Sequence, residues 1–315
     1  DRWGGNGLQP FVLGRVEAAN TIDCIRAAHH LVQAVYDDFP VRAYDVVMWG
    51  HSQGGHAALW SGQLLEAYTR MTASDDGPAL ALSGVALEAP GSTFVTHPES
   101  GDTGFGLLDW IAHARIGLAG LSEPIPVAPF FLSYLFASWA RYSEGGSPDP
   151  AAMPAYPDTG PVDISALVQS EALATVEQAS QLCWADGDTI AELAAPFRSK
   201  PFLTPEVGDG EVLDGLQHGR FDTTGAADAS SEVAAWWKWL TWNLPGPAGT
   251  NPFDKVPKRG DQLAPVMLVS GTSDTVVHCV ACEGSEGDVP PAKDCVTVAL
   301  YEALKTEYCP DGDEH

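Results

Sequence analysis

An alternation of helix-type and strand-type segments in the first 90 residues limits the fold more than any other feature. Apolar residues recur at helical spacing over 18–35 and again over 57–68. Each pattern is followed by a short run rich in β-branched and aromatic or aliphatic residues, at 44–49 and at 82–87. Such runs are typical of strands that are buried on both faces. The order predicts parallel βαβ units, and therefore an α/β fold.

Beyond this region the pattern changes to Pro- and Gly-rich stretches with helical periodicity and no convincing strand. Three helical patterns fall at 129–140, 164–183 and 231–243. A strand pattern returns only at 265–270, and a last helical pattern lies near 296–304. We therefore expect a mostly parallel central sheet whose core is formed by residues 1–90 and 263–315, interrupted by a helical cap at 91–262.

The charge balance excludes whole classes of partner. The 315 residues include 16 Lys plus Arg and 42 Asp plus Glu, which gives a formal net charge of −26. A field of this sign repels the phosphates of nucleic acids and anionic membrane surfaces, so we expect no nucleic-acid partner. No apolar run reaches the roughly 18 to 20 residues that a membrane-spanning helix needs, so we expect no transmembrane segment.

The cysteines point to an oxidising compartment. Four of the six, Cys279, Cys282, Cys295 and Cys309, are crowded near the end of the chain. Their spacing lacks the second short pair of a zinc ribbon, so disulfides are favoured over a metal site. Disulfides predict a secreted or periplasmic protein. The chain has no initiator Met and no signal-peptide pattern at its start, so we expect that a leader was removed or that the chain comes from a longer protein.

A nucleophile motif lies between the first predicted strand and the helix that follows it. The sequence Gly50-His51-Ser52-Gln53-Gly54-Gly55 is the only Gly-x-Ser-x-Gly match, and strand, sharp turn and helix is the context that a nucleophile elbow requires. Ser52 is the expected nucleophile, and the backbone N–H of Gln53 is expected to bind the oxyanion. His51 and His56 are interpreted as packing or surface residues, because an elbow points the residue before the serine away from the substrate.

A serine hydroxyl needs a base that is oriented by a carboxylate. Asp274 is the expected acid, because it lies in the turn Gly271-Thr272-Ser273-Asp274 just past the predicted strand at 265–270. The alternative is a turn-forming aspartate without a catalytic role.

These motifs together resemble the secretory lipase family of the α/β-hydrolases, typified by the yeast lipase A enzymes and their bacterial relatives. The matching stretches are Ile22 to Ala28, the elbow with His56-Ala57-Ala58-Leu59-Trp60, and Gly271-x-x-Asp274-x-Val276-Val277. The resemblance covers about a third of the chain. It implies an α/β-hydrolase fold with a helical cap, no cofactor and no metal, and an oxyanion-hole role for Asp1 in the opening Asp1-Arg2-Trp3-Gly4.

The sequence does not assign the catalytic base to one histidine. His278 replaces the proline that the family has after the acid loop, and it lies only four residues from Asp274, while His218 falls inside the cap. Both are interpreted as structural. His315 has the right order along the chain, but only three core strands can be read. We therefore expect the chain to be a fragment that lacks the early strands and the last strand, with the catalytic histidine beyond residue 315 rather than at His315.

The resulting interpretation is a secreted serine hydrolase that cleaves carboxylic esters, a lipase or esterase active in lipid degradation, through an acyl-serine intermediate. The alternatives are a serine peptidase of the same fold and a catalytically inactive binding module. The helix that carries Trp236, Trp237, Trp239 and Trp242 is expected to face the core, with a lipid-binding surface as the alternative. The apolar segment at 127–140 is expected to be buried within the cap. A lid that contacts lipid transiently is the other interpretation of the apolar segment.

Overall fold

The chain folds into a parallel sheet and a cluster of helices. Two of the helices contribute side chains to the hydrophobic cores of both parts. The computed structural model describes residues 10–36, 43–72, 78–91, 128–144, 157, 159–181, 189, 192–193, 195, 202–204, 231–247, 249, 251–269 and 296–308. The helices are α1 (Gly14–Val35), α2 (Gln53–Met71), α3 (Ala128–Ser143), α4 (Ser170–Ser180), α5 (Ser231–Trp242) and α6 (Val296–Tyr308). The strands are β1 (Ala43–His51), β2 (Ala79–Glu88), β3 (Lys258–Arg259), β4 (Gln262–Leu263) and β5 (Val266–Val269).

Three of the strands form the sheet that the sequence predicts. Their order is β1-β2-β5, and both pairs are parallel. The register of β1 against β2 shifts once, between Val46 and Val47. The short strands β3 and β4 form a separate antiparallel ribbon. The α/β class and the parallel pairing of the three predicted core strands are therefore confirmed.

One face of the sheet packs on helices. Val46 and Met48 of β1 and Leu82 of β2 share a hydrophobic core with the apolar face of α2, and α1 contributes Ile22 to the same core. Leu300 and Leu304 of α6 complete it.

The opposite face does not show the burial that the sequence predicts. Val47 and Trp49 of β1 are 64% and 69% exposed, and Met267 and Val269 of β5 are 58% and 48% exposed. Side chains alternate between the two faces of a strand, and the described helices that join the sheet core pack on one of them. Among the described residues, only that face is covered.

A second hydrophobic core is mainly helical. It combines α3, α4 and most of α5 with Val12, Leu13 and Val16, which lie at the start of α1 or just before it. Trp236 and Trp239 are buried in it, and Trp242 is buried in the sheet core, where it stacks on Trp60 with 5.6 Å between ring centroids. The prediction that this stripe packs inward is confirmed for these three tryptophans.

The apolar helix α3 packs inward as predicted. Its described side chains from 132 to 140 are buried at every position but one. The observed bounds of α3, α4, α5 and α6 agree with the helical patterns in the sequence, except that the pattern beginning at residue 164 divides into a short 3₁₀ turn, Ile164–Ala166, and α4. Helices that could cross a membrane do not occur among the described residues. The division at 90/91 and 262/263 stays a prediction.

Candidate functional site

Ser52 lies at the turn between β1 and α2 in a backbone conformation that L-residues rarely adopt. Its φ is 54° and its ψ is −119°. A side chain in this region is strained by roughly 1–3 kcal/mol, and such strain persists only where the surrounding structure enforces it. Strained residues cluster at functional sites, so the conformation directs attention to Ser52.

The flanking glycines are explained by the space around the turn. A Cβ atom on Gly50 would lie 2.0 Å from the carbonyl oxygen of Gly54, and one on Gly55 would lie 2.9 Å from the Cα of Pro90. Both distances are too short for any side chain. Gly54 is different, since a Cβ there would meet nothing within 4 Å. The first and the last glycine of Gly50-x-Ser52-x-Gly54-Gly55 are therefore required by sterics, while the middle one is not.

Backbone hydrogen bonds hold the turn in place. The Ser52 N–H donates to the carbonyl oxygen of Glu88 at the end of β2, at 2.9 Å. The Ser52 carbonyl oxygen accepts from the N–H groups of His56 and Gly91, each at 3.1 Å. These bonds fix the turn to α2 on one side and to the segment after β2 on the other. The side chain itself is half-buried.

The N-terminus of α2 faces the serine. Gln53 is the first residue of the helix, and no side chain caps this helix end. The first N–H groups of a helix have no intrahelical acceptor, and the helix dipole favours negative charge beside them. The Gln53 N–H, the first of α2, therefore lies next to Ser52 at a helix end that favours negative charge. The side chain of Gln53 points elsewhere, and its Nε2 donates to Oε1 of Glu17 at 2.6 Å.

The ends of the three parallel strands meet at the elbow. The Ala89 N–H, one residue after β2, donates to the carbonyl oxygen of Val269 at the end of β5, at 2.7 Å. Together with the bond from Ser52 to Glu88, this bond aligns the carboxyl ends of all three strands. Asp274 lies five residues beyond Val269 in the sequence and is outside the described residues. One described carboxylate, that of Glu88, lies at this edge, and it is exposed.

None of the four described histidines is placed as a base. His51 and His30 are exposed. His29 is buried, and its Nδ1 is 2.7 Å from the hydroxyl of Tyr44. His56 is fully buried, with Nδ1 2.9 Å from Oε2 of Glu17 and Nε2 3.1 Å from the carbonyl oxygen of Asn243. The packing role inferred for His56 agrees with this burial.

No protein-family model matches the chain, and neither a curated protein nor a solved structure is significantly similar to it. The resemblance to the secretory lipases therefore rests on the motifs alone.

The remaining predicted site residues lie outside the described part of the chain. These are Asp1, Asp274 and His315. His218 and His278, which are interpreted as structural, and the four crowded cysteines also lie outside it. The one described cysteine, Cys24, is a free and exposed thiol. Among the described residues, no three His, Cys, Asp or Glu side chains are grouped so that they could hold a metal ion.

Glu17 is the one residue beside the elbow that sequence reasoning missed. Its carboxylate is 9% exposed and accepts hydrogen bonds from the Val12 N–H at 2.9 Å and from the side chain of Gln53. It also contacts His56. An acidic residue in the first turn of a helix is ordinary in a sequence, because it complements the helix dipole. No sequence signal distinguishes Glu17 from such a residue.

Proposed function

We propose that the chain is a serine hydrolase that cleaves carboxylic esters, with Ser52 as its nucleophile. The observation that carries the proposal is the strained backbone of Ser52, at φ 54° and ψ −119°, at a turn between a parallel strand and a helix N-terminus. The elbow motif requires this context. Under this proposal the strained conformation has a use, because it lifts the Ser52 hydroxyl out of the turn, next to the first N–H of α2, that of Gln53.

The proposed reaction is acyl transfer in two steps. Ser52 Oγ attacks the ester carbonyl carbon and passes its proton to a histidine base, which returns that proton to the leaving alcohol. The carbonyl oxygen becomes an oxyanion, and the Gln53 N–H stabilises it, with Asp1 assigned to the same hole by resemblance. Water then attacks the acyl-Ser52 ester, releasing the carboxylic acid and restoring the serine.

The topology supports Asp274 as the acid that orients the base. Adjacent strands are about 4.8 Å apart, so the end of β5 lies about 10 Å from the end of β1. Five residues of extended chain reach about 16 Å, which is enough to bring Asp274 to the elbow. We assign the base to a histidine outside the described residues, because the described histidines are exposed or engaged elsewhere.

The motif resemblance and the cysteines extend the proposal to a biological setting. We propose membership of the secretory lipases, a secreted or periplasmic location, and an apolar acyl chain as the part of the substrate that the helical cap binds. The helical core that α3 forms with its neighbours supports the helical character of this cap, and the acyl-binding surface stays a proposal from the motif resemblance.

A fluorophosphonate probe tests the nucleophile directly. We expect stoichiometric labelling, with the adduct on Ser52 by peptide mapping, and hydrolysis of p-nitrophenyl esters whose rate depends on chain length. Ser52→Ala should abolish both, since it removes the nucleophile and leaves the glycines of the turn in place. Ser61→Ala is the matched control, because Ser61 is a buried serine of α2 whose hydroxyl donates to the Ala57 carbonyl oxygen of the same helix. Hydrolysis by Ser52→Ala at a tenth of the wild-type rate would refute the assignment.

A second pair of variants tests the acid. Asp274→Asn should lower kcat by roughly 10⁴-fold with little change in KM, because the carboxylate acts on the transition state. Glu88→Gln is the control, since Glu88 is the described carboxylate at the same sheet edge. If Glu88→Gln is the variant that loses kcat, the wrong carboxylate has been assigned.

A further inference from the structure

The strongest unassigned feature of the molecule is the buried polar cluster of Glu17, Gln53, His56 and Asn243. Glu17 lies in the first turn of α1, whereas Gln53 and His56 lie three residues apart on α2. Residues at this spacing share one face of a helix, so a single carboxylate can bridge the first turn of α2. Its bonds to Gln53 Nε2 at 2.6 Å and to His56 Nδ1 at 2.9 Å do so.

The same carboxylate also fixes the segment that leads into α1. Val12 has a positive φ of 54°, which is unfavourable for a β-branched residue, and its N–H donates to Oε1 of Glu17. Through three contacts, Glu17 therefore joins the turn before α1 to both ends of the first turn of α2.

The environment of His56 sets its hydrogen bonding. Both ring nitrogens face oxygen atoms, since Nδ1 meets the Glu17 carboxylate and Nε2 meets the Asn243 carbonyl, which also accepts from the indole of Trp60 at 3.1 Å. A neutral imidazole has only one N–H. Which of the two ring nitrogens donates therefore depends on the tautomer, and the two contacts together hold the ring between Glu17 and Asn243.

We propose that Glu17, oriented by His56, is a positioning residue that holds the Gln53 N–H in place to bind the oxyanion. The inference rests on the proposed ester hydrolysis. Gln53 is the first residue of its helix, so its N–H has no intrahelical acceptor to fix it. The two side-chain contacts to Glu17 fix the helix start instead. In this role Glu17 does not touch the substrate and acts through Gln53.

The kinetic test compares two disruptive variants with one conservative variant. Glu17→Ala leaves the Val12 N–H, Gln53 Nε2 and His56 Nδ1 without their acceptor. Gln53→Ala removes only the side-chain anchor and keeps the backbone N–H, so it serves if Glu17→Ala does not fold. With p-nitrophenyl butyrate we expect each to lower kcat by about 10- to 100-fold and to leave KM within about threefold, which is the size of a misplaced catalytic donor.

Glu17→Gln should restore most of kcat. Its amide oxygen can accept from Val12 and Gln53, and its amide N–H can donate to Nδ1 of a neutral His56, which still donates from Nε2 to Asn243. Gln63→Ala is the matched control, because Gln63 is buried on α2 and accepts from the Gly246 N–H at 3.2 Å, away from the elbow. It should lose stability and keep kcat. A Glu17→Gln variant no better than Glu17→Ala, or an unchanged kcat in a folded Glu17→Ala, overturns the inference.

Hydrogen exchange separates this inference from the proposed function. The His56 N–H, bonded to the Ser52 carbonyl, should exchange faster in Glu17→Ala and Gln53→Ala than in wild type, but not in Gln63→Ala. A wild-type protein that neither labels at Ser52 nor cleaves esters refutes the proposed function. In that case faster exchange still supports a clamp on the first turn of α2, and unchanged exchange overturns it.

Discussion

At position 52 a glycine variant should be more stable than an alanine variant, which is the reverse of the usual order of these two residues. The Ser52 backbone, at φ 54° and ψ −119°, costs a side-chain-bearing residue about 1–3 kcal/mol, and glycine adopts this region freely. Against this gain stands the larger conformational freedom of glycine in the unfolded chain, about 0.4–1 kcal/mol. The net expectation is that Ser52→Gly is about 0.5–2 kcal/mol more stable than Ser52→Ala.

Alanine is the proper reference because both variants lack the hydroxyl. Their difference therefore measures the strain that the Cβ atom introduces and nothing about hydrogen bonds of Oγ. Urea denaturation gives the free energy of unfolding of each, and thermal unfolding should shift by about 2 °C per kcal/mol for a chain of this size. Under the proposed function, both variants are inactive.

The same pair of substitutions at Ser61 gives the opposite sign. Ser61 lies in the interior of α2, where glycine is about 1 kcal/mol less favourable than alanine. Both Ser61 variants lose the bond from the serine hydroxyl to the Ala57 carbonyl, so that loss cancels. If Ser52→Gly is less stable than Ser52→Ala by as much as the pair at Ser61, the turn is not strained and the argument for the elbow fails.

Three further outcomes are expected. Gly50→Ala should destabilise the fold by about 3 kcal/mol or more in urea denaturation, since its Cβ would meet the Gly54 carbonyl at 2.0 Å. Gly54→Ala should be neutral or stabilising, because a Cβ there meets nothing within 4 Å. Equal effects of the two variants would contradict the packing argument. Burial raises the pKa of Tyr308 to about 12, so the contribution of its protonated phenol is fully present below pH 10 and is lost as the pH rises toward 12. The difference in unfolding free energy between wild type and Tyr308→Phe should therefore shrink from pH 9 to pH 12, and a constant difference would contradict this. The four crowded cysteines should form two disulfides, so intact mass should rise on reduction; an unchanged mass, or bound zinc in stoichiometric amount, would refute the pairing.

The parts of the fold that sequence predicts well are those with local signals. The elbow motif occupies six consecutive residues. The structure shows why Gly50 and Gly55 must be glycine, since a Cβ on them would collide with Gly54 and with Pro90. Apolar periodicity predicts the bounds of α3 and α5. This periodicity is clear in the sequence because each helix buries a wide face.

The covering of the sheet is less accessible to sequence. The run at 44–49 contains Val46, Val47, Met48 and Trp49 in succession, which predicts burial on both faces, yet Val47 and Trp49 are exposed among the described residues. An apolar run indicates that a strand can be buried on both faces. It does not indicate which helices or loops pack on those faces.

The polar cluster is hidden from sequence because its members are distant along the chain. Glu17 is separated from Gln53 and His56 by 36 and 39 residues, and His56 from Asn243 by 187. Each residue alone has an ordinary interpretation: a first-turn acid, a surface amide and a packing histidine. Only the packing of α1 against α2 brings them to one carboxylate.

The position of this cluster links the elbow to both hydrophobic cores. Val16, one residue before Glu17, packs in the helical core, and Ala18, one residue after it, packs in the sheet core. Asn243 lies between Trp242, which packs in the sheet core, and Leu244, which packs in the helical core. Any displacement of the helical core relative to the sheet must therefore strain the contacts from Glu17 to the first turn of α2. Under the proposed function, the geometry of the oxyanion site then depends on how the helices pack. Substitutions that loosen the helical core are for that reason expected to reduce kcat before they unfold the protein.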